Sequence, residues 1–209
     1  MRKFTIFILL LSNFFVFSHL VSAQNADVDL LRQVNHAVPR LKPVSVFLSE
    51  TAIPLNLAVP VAIGSYGLIN SNKDFIKDAC YIALASAINL GMTVILKESI
   101  RRERPGETYP EYITMYKKAI DFAMPSGHTS TCFATATALS LKYPEWYIIV
   151  PAYAWATSVG LSRMHLGMHY PTDVLAGAAL GAGSAYLSYK LNEWIWNNYD
   201  IRGWRIIRK

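Results

Sequence analysis

Three short clusters in this 209-residue chain together supply fixed positive charge and histidine. The first runs Lys97-Glu-Ser-Ile-Arg-Arg-Glu-Arg104-Pro105, the second is Pro125-Ser126-Gly127-His128, and the third holds Ser162-Arg163, His169 and Asp173. A phosphate ester carries negative charge that spreads over its non-bridging oxygens during transfer, so a site for it needs several donors aimed at those oxygens. Lys97, Arg104 and Arg163 supply cations. The two guanidinium forks match phosphate bidentately, and the ammonium acts as a point charge. Ser126 and Gly127 stand just ahead of an expected helix, whose N–H groups and dipole favour an anion and where glycine permits close approach.

A histidine nucleophile must be neutral, aimed at phosphorus and oriented by a partner. Asp173 follows His169 by one helical turn if a helix begins near Pro171, so it can hold one ring nitrogen and leave the other to attack. An aspartate ahead of an apolar helix also serves as an N-cap, a role open to Thr172 as well. His128, opening its own helix, is placed to protonate a departing alkoxide and later to take a proton from water.

Read together as K-x6-RP, PSGH and SR-x5-H-x3-D, the clusters resemble the tripartite signature of the type 2 phosphatidic acid phosphatase superfamily. That superfamily includes lipid phosphate phosphatases, bacterial class A acid phosphatases, glucose-6-phosphatase and vanadium haloperoxidases. The resemblance covers Lys97 to Asp173 at motif level. It implies a phosphohistidine mechanism in which His169 takes the phosphoryl group, Asp173 fixes its tautomer and His128 is the acid and base. Lys97, Arg104, Ser126, Gly127 and Arg163 then bind phosphate. No cofactor and no metal is expected, because three fixed cations around one oxyanion repel a divalent ion and already neutralise charge. Arg101 and Arg102 fall outside the pattern and are expected to be solvated or headgroup-facing. His165 is expected in a loop or supporting position, and His19 and His36 carry no signal.

Elements must bring these clusters together. Residues 51–72, 79–96, 146–162 and 174–189 contain no Asp, Glu, Lys or Arg, and 129–141 is a shorter uncharged stretch rich in Ser and Thr. The four longer ones approach the roughly 20 residues that cross a hydrocarbon core and are too long for buried strands. We therefore expect an all-α bundle of about five to six helices, membrane-spanning, with the active site at one end. Small residues such as Gly177, Gly181 and Gly183 suit close helix approach, which a soluble all-α core would share. Residues 24–50 read as a polar segment, and 98–127 as the one long polar interruption. Cys80 and Cys132 lie in apolar stretches without metal-ligand spacing and are expected to be buried free thiols.

Residues 1–23, with Arg2 and Lys3 ahead of a long apolar run and Ser22-Ala23 at its end, read as a signal peptide or a first membrane helix, leaving 24–209 as a single domain. With the start exported, both polar loops fall on the external side. The expected location is the bacterial inner membrane with the site facing the periplasm. A net charge of +6 and pI near 9.3 suit anionic headgroups or phosphorylated substrates. The basic residues cluster at Lys97–Arg104 and in the tail Arg202, Arg205, Arg208 and Lys209, which favours membrane lipids over nucleic acid as partners. The expected substrate is a lipid phosphate monoester or diphosphate. A soluble periplasmic acid phosphatase of broad specificity is the second enzyme reading, and a polytopic scaffold or transporter subunit is the reading without catalysis.

Overall fold

The structure is a computed structural model that describes residues 26–198. The expectations for residues 1–23 and for the basic tail fall outside them. Residues 26–36 form a short helix, α1. A 3-10 turn at Pro39–Leu41 leads into α2 (Lys42–Ile69), followed by α3 (Lys73–Ile100), the single turn α4 (Pro105–Thr108), α5 (Gly127–Lys142), α6 (Trp146–His165) and α7 (Pro171–Asn198). Among the described residues there is no strand. The uncharged stretches fall within α2, α3, α5, α6 and α7, as expected, except that 51–72 runs on into the link after Ile69, whereas the polar segment 24–50 is largely helical. Its inward positions, Ser45 and Ser49 in α2, are small and polar, so hydropathy does not mark the buried face.

Each long helix buries a stripe at helical spacing. In α2 the stripe is Ser45, Ser49, Ala52 and Asn56; in α3 it is Ile82, Ala85, Asn89, Thr93 and Lys97. In α7 it includes Asp173, Gly177, Gly181, Ser184 and Ser188. Ile82 apart, these inward faces are small or polar, and the outward faces carry Leu57, Val61, Leu90, Ile95, Leu175 and Leu187, each at least 60% exposed. A water-soluble bundle puts its large apolar side chains inside; the reversed arrangement places them against lipid. Two segments, Pro39–Ile69 and Lys73–Thr108, are long and apolar enough to cross a membrane, yet only 17% and 33% of their apolar windows are buried. A soluble core helix would bury most of such a window, so the soluble alternative loses its support here. The same reversal corrects the expectation for Cys80, which is exposed on α3, while Cys132 is buried and accepts a 3.1 Å hydrogen bond from Asn56 Nδ2.

α5 packs most extensively against α7. A Cβ at Gly177 would come 2.7 Å from the Ser126 carbonyl oxygen, and one at Gly181 would collide with the Ser130 carbonyl. Glycine at these two positions thus lets the backbones touch, as small-xxx-small pairs do in membranes. The short links 70–72 and 143–145 join α2 to α3 and α5 to α6. At the opposite end lie the C-termini of α3 and α6, the N-termini of α5 and α7, and the loops 101–126 and 166–170. These loops touch, with the Tyr116 amide donating to the Leu166 carbonyl at 2.9 Å.

Candidate active site

The candidate catalytic and phosphate-binding residues all lie at this end. Lys97 is in the last turn of α3, Arg104 immediately precedes α4, and Arg163 is near the end of α6. All three are buried, at 6%, 4% and 2% exposure. Burying three cations together is costly unless anions or acceptors meet them. Arg104 donates from NH1 to the Met168 carbonyl (2.8 Å) and from Nε to the Asp121 carbonyl (3.0 Å). The Asp121 carboxylate bridges Arg104 NH2 at 2.5 Å and Lys97 Nζ at 3.0 Å. Lys97 also donates to the Phe122 carbonyl, and Arg163 NH1 to Ser49 Oγ. The buried Arg163 Nε has no hydrogen-bond partner among the described residues.

The end of α6 delivers the nucleophile candidate. Leu166, Gly167 and Met168 donate back to Ser162, Met164 and Arg163, closing the helix, and Gly167 takes φ +65° in this turn. A Cβ there would also meet the Thr114 carbonyl at 2.5 Å, so glycine is required by both conformation and space. His169 follows, 1% exposed. Its Nδ1 lies 2.7 Å from the Ala123 carbonyl oxygen and its Nε2 3.3 Å from Arg104 NH1. A carbonyl can only accept and a guanidinium can only donate, so both partners select the tautomer with hydrogen on Nδ1 and the lone pair on Nε2. Burial, and then the charges of Arg104, Arg163 and Lys97, hold the His169 pKa well below its usual 6.5. The ring is then neutral, with its Nε2 lone pair facing Arg104 NH1.

The partner expected from sequence is displaced. Asp173 Oδ2 is 3.7 Å from His169 Nδ1, beyond hydrogen-bond distance, and the ring's hydrogen-bond partner is the Ala123 carbonyl. Asp173 Oδ2 instead accepts from the Tyr170 amide at 2.9 Å, and Oδ1 accepts from Arg102 NH1 at 2.7 Å. The reach from the first turn of α7 back to Tyr170 is that of a capping-box acid, because an orphan N–H there needs an acceptor.

Ser126 and Gly127 also differ in detail from the expectation. The Ser126 amide donates to the Asp173 carbonyl at 3.0 Å, and its hydroxyl accepts from Thr129 Oγ1 at 2.9 Å. Its amide is therefore committed to joining α5 and α7. The first i→i−4 bond of α5 runs from Ser130 to Ser126, leaving the amides of Gly127 and His128 in the unsatisfied first turn. Both residues are half-buried, so that turn is reachable.

Arg102 is neither solvated nor headgroup-facing as expected. It bridges Asp27 (2.7 Å) and Asp173 (2.7 Å) and lies 3.8 Å from the centroid of the Tyr170 ring. His165 lies at the end of α6, not in a loop, with its ring between Ser45 Oγ (2.7 Å) and the Ala37 carbonyl (2.8 Å). Among the described residues no group of three or more His, Cys, Asp or Glu side chains is placed to hold a metal ion. Sequence reasoning missed Asp121, Ser49 and the Ala123 carbonyl, none of which sits in a motif.

Three buried cations, an oriented neutral imidazole and a second histidine at the mouth of an apolar bundle define the chemistry of a membrane phosphatase. Residues 78–197 match the family model described as PAP2 superfamily, so the chain belongs to the PAP2 superfamily and is a phosphatase by class. It is 30% identical to a lipid A 1-phosphatase of Porphyromonas gingivalis over 73% of its own length, but spans only 32% of that protein. It is 29% identical to an undecaprenyl-diphosphatase of Sulfolobus acidocaldarius, covering 91% of this chain and 93% of the relative. The crystal structure of a transmembrane PAP2 type phosphatidylglycerolphosphate phosphatase from Bacillus subtilis superimposes with a TM-score of 0.70 at 25% identity, covering 83% of this chain and 88% of that one.

Proposed function

We propose that this protein hydrolyses a lipid phosphate monoester or diphosphate through a phosphohistidine on His169, at the periplasmic face of a bacterial inner membrane. The observation that carries the reading is the His169 tautomer, with Nε2 unprotonated beside Arg104, at a site where the buried Arg163 Nε has no partner among the described residues. Nε2 attacks phosphorus, the bond to the ester oxygen breaks, and His128 gives that oxygen a proton. The new positive charge on the ring is met by the Ala123 carbonyl at Nδ1 and by the nearby Asp173. His128 then takes a proton from water as the hydroxide attacks phosphorus, and His169 leaves neutral. Lys97, Arg104, Arg163 and the first turn of α5 hold the phosphoryl oxygens, with the fixed donors stabilising charge as it spreads. A lipid substrate suits a site whose supporting helices face hydrocarbon, and the relatives' names include lipid phosphatases. The external orientation rests on the exported character of residues 1–23.

The direct test is purified protein in detergent with chelator, offered phosphatidate, phosphatidylglycerol phosphate, undecaprenyl diphosphate, a lipid A phosphate and a water-soluble aryl phosphate. Phosphate release from at least one lipid, surviving chelation and blocked by vanadate, is expected. Turnover that vanishes with chelator and returns with zinc or magnesium would overturn the account built on Lys97, Arg104 and Arg163.

Asp121 permits a second test. Its carboxylate sits on two of the cations that the phosphoryl group needs. Burial pushes its pKa up, but the charges and hydrogen bonds of Lys97 and Arg104 outweigh this and hold it below its ordinary 3.8. A depressed folded-state pKa means the ion pairs contribute above the ordinary value and are lost as pH falls through the lowered one. At neutral pH Asp121 is therefore ionised and competes with substrate. Asp121→Asn should tighten vanadate binding by up to roughly fivefold, the scale of one partly exposed ion pair. Weaker binding would show instead that Asp121 orients Lys97 and Arg104.

A further inference from the structure

The helix α1 carries no motif, yet its buried face is fastened to the catalytic loops at both ends. Asp27, Leu31 and Asn35 lie one turn apart, at 6%, 0% and 0% exposure. Asn35 Nδ2 donates to the carbonyls of Thr114 (3.0 Å) and His165 (2.9 Å), and its Oδ1 accepts from the Thr114 amide (2.9 Å). At the other end Asp27 Oδ1 accepts from the Thr172 amide at 2.9 Å, and Oδ2 from Thr172 Oγ1 at 2.6 Å and Arg102 NH2 at 2.7 Å. Asp27 thereby caps the N-terminus of α7 from a helix 145 residues away in sequence. Arg102 spends one fork nitrogen on Asp27 and the other on Asp173, with Tyr170 beneath its plane. Tyr170 and Asp173 bracket the start of α7, and His169 directly precedes them.

We propose that Arg102, held by Asp27, is a positioning residue for the reaction, acting through Asp173 to fix the segment that carries His169. The proposal rests on the phosphatase reading above. Without Arg102, two carboxylates that are almost wholly buried lose their shared counter-charge, and the hold of Asp173 on the Tyr170 amide, at 2.9 Å, is weakened. The turn at 169–170 then loosens and Nε2 leaves its line of attack. Neither Arg102 nor Asp27 touches the three phosphate-binding cations in any hydrogen bond or ion pair described above, so anion binding should be spared while the chemical step suffers.

The experiment compares full-length wild type with Arg102→Gln, Arg102→Lys, Asp27→Asn, Asp27→Glu and the double variant Asp27→Asn/Arg102→Gln, purified in detergent. The readouts are kcat and KM for an aryl phosphate, and vanadate affinity. Arg102→Gln should lower kcat about 10- to 100-fold, the scale of a small misplacement of a reacting group, with KM and vanadate affinity changed by no more than about twofold. Asp27→Asn should lose less, Arg102→Lys and Asp27→Glu should each recover part of the loss, and the double variant should be no worse than Arg102→Gln alone, since a shared network is not additive. Losses that add, or vanadate affinity that falls in step with kcat, overturn the proposal. If Arg102→Gln does not elute as a folded monodisperse species, the Arg102→Lys and Asp27→Asn comparisons carry the same split of kcat from KM. Wild type inactive on every phosphate ester sinks the phosphatase reading itself, whereas active wild type with an equally active Arg102→Gln sinks only the positioning role.

Discussion

Replacing His169 by Asn should abolish turnover of every phosphate ester, by at least about 10⁴-fold, the scale on which losing a covalent nucleophile acts. Asparagine suits the test because its amide nitrogen falls close to the place of Nδ1 and can still donate to the Ala123 carbonyl, which the histidine reaches at 2.7 Å. The loop should therefore keep its shape. What disappears is Nε2, the ring nitrogen that lies 3.3 Å from Arg104 NH1. Vanadate should still bind, since Lys97, Arg104, Arg163 and the first turn of α5 remain. The measurement is phosphate release together with vanadate affinity in the same preparation. Residual turnover within about tenfold of wild type, far short of what nucleophile loss costs, would remove His169 from covalent catalysis.

Replacing His128 by Ala should produce a loss that depends on the leaving group. An alkyl phosphate departs as a poor alkoxide and needs a proton, so removing the acid should cost on the order of 10² to 10⁴ in rate. An aryl phosphate with an acidic phenol needs little such help, and its first step should be largely spared. Breakdown of the phosphohistidine should still slow, because the same side chain activates water. The expected signature is a burst of phenol followed by slow turnover, with label trapped on His169 under acid-free quench. Equal losses for both leaving groups without a trapped phosphoenzyme would remove His128 from its acid role. Label on His128 would reverse the assignment of the nucleophile.

Much of the site's inventory was legible before the fold was known. Lys97, Arg104, the 125–128 turn, Arg163 and His169 share a chemistry, and uncharged stretches of helical length between them leave few ways to arrange the chain other than as a bundle with these clusters at one end. The partners of those residues were much less legible. The tautomer of His169 is set by a carbonyl from the irregular segment before Pro125, and any residue at position 123 has that carbonyl. Asp121 lies in the same loop, without a periodic pattern to show which way it points. Asp173, four residues from His169, satisfied the spacing rule, but a nearer amide at Tyr170 and a stronger donor in Arg102 claimed its oxygens. Arg102 read as one of several surface arginines because its partner, Asp27, is 75 residues away.

The amino-acid sequence by itself determined the helical elements and the kind of chemistry, because helix length, uncharged composition and the residue types at helix ends are local properties of the chain. It could not decide which helix face meets lipid, since in α2 and α3 both faces lack charge over long stretches and the inward one is marked only by small or polar residues such as Ser49, Ala85 and Asn89. Tertiary structure decided that, along with the tautomer of the nucleophile and the fastening of α1 over the site. Each of these depends on a hydrogen bond or ion pair between residues far apart in the chain, whose geometry exists only once the bundle has closed.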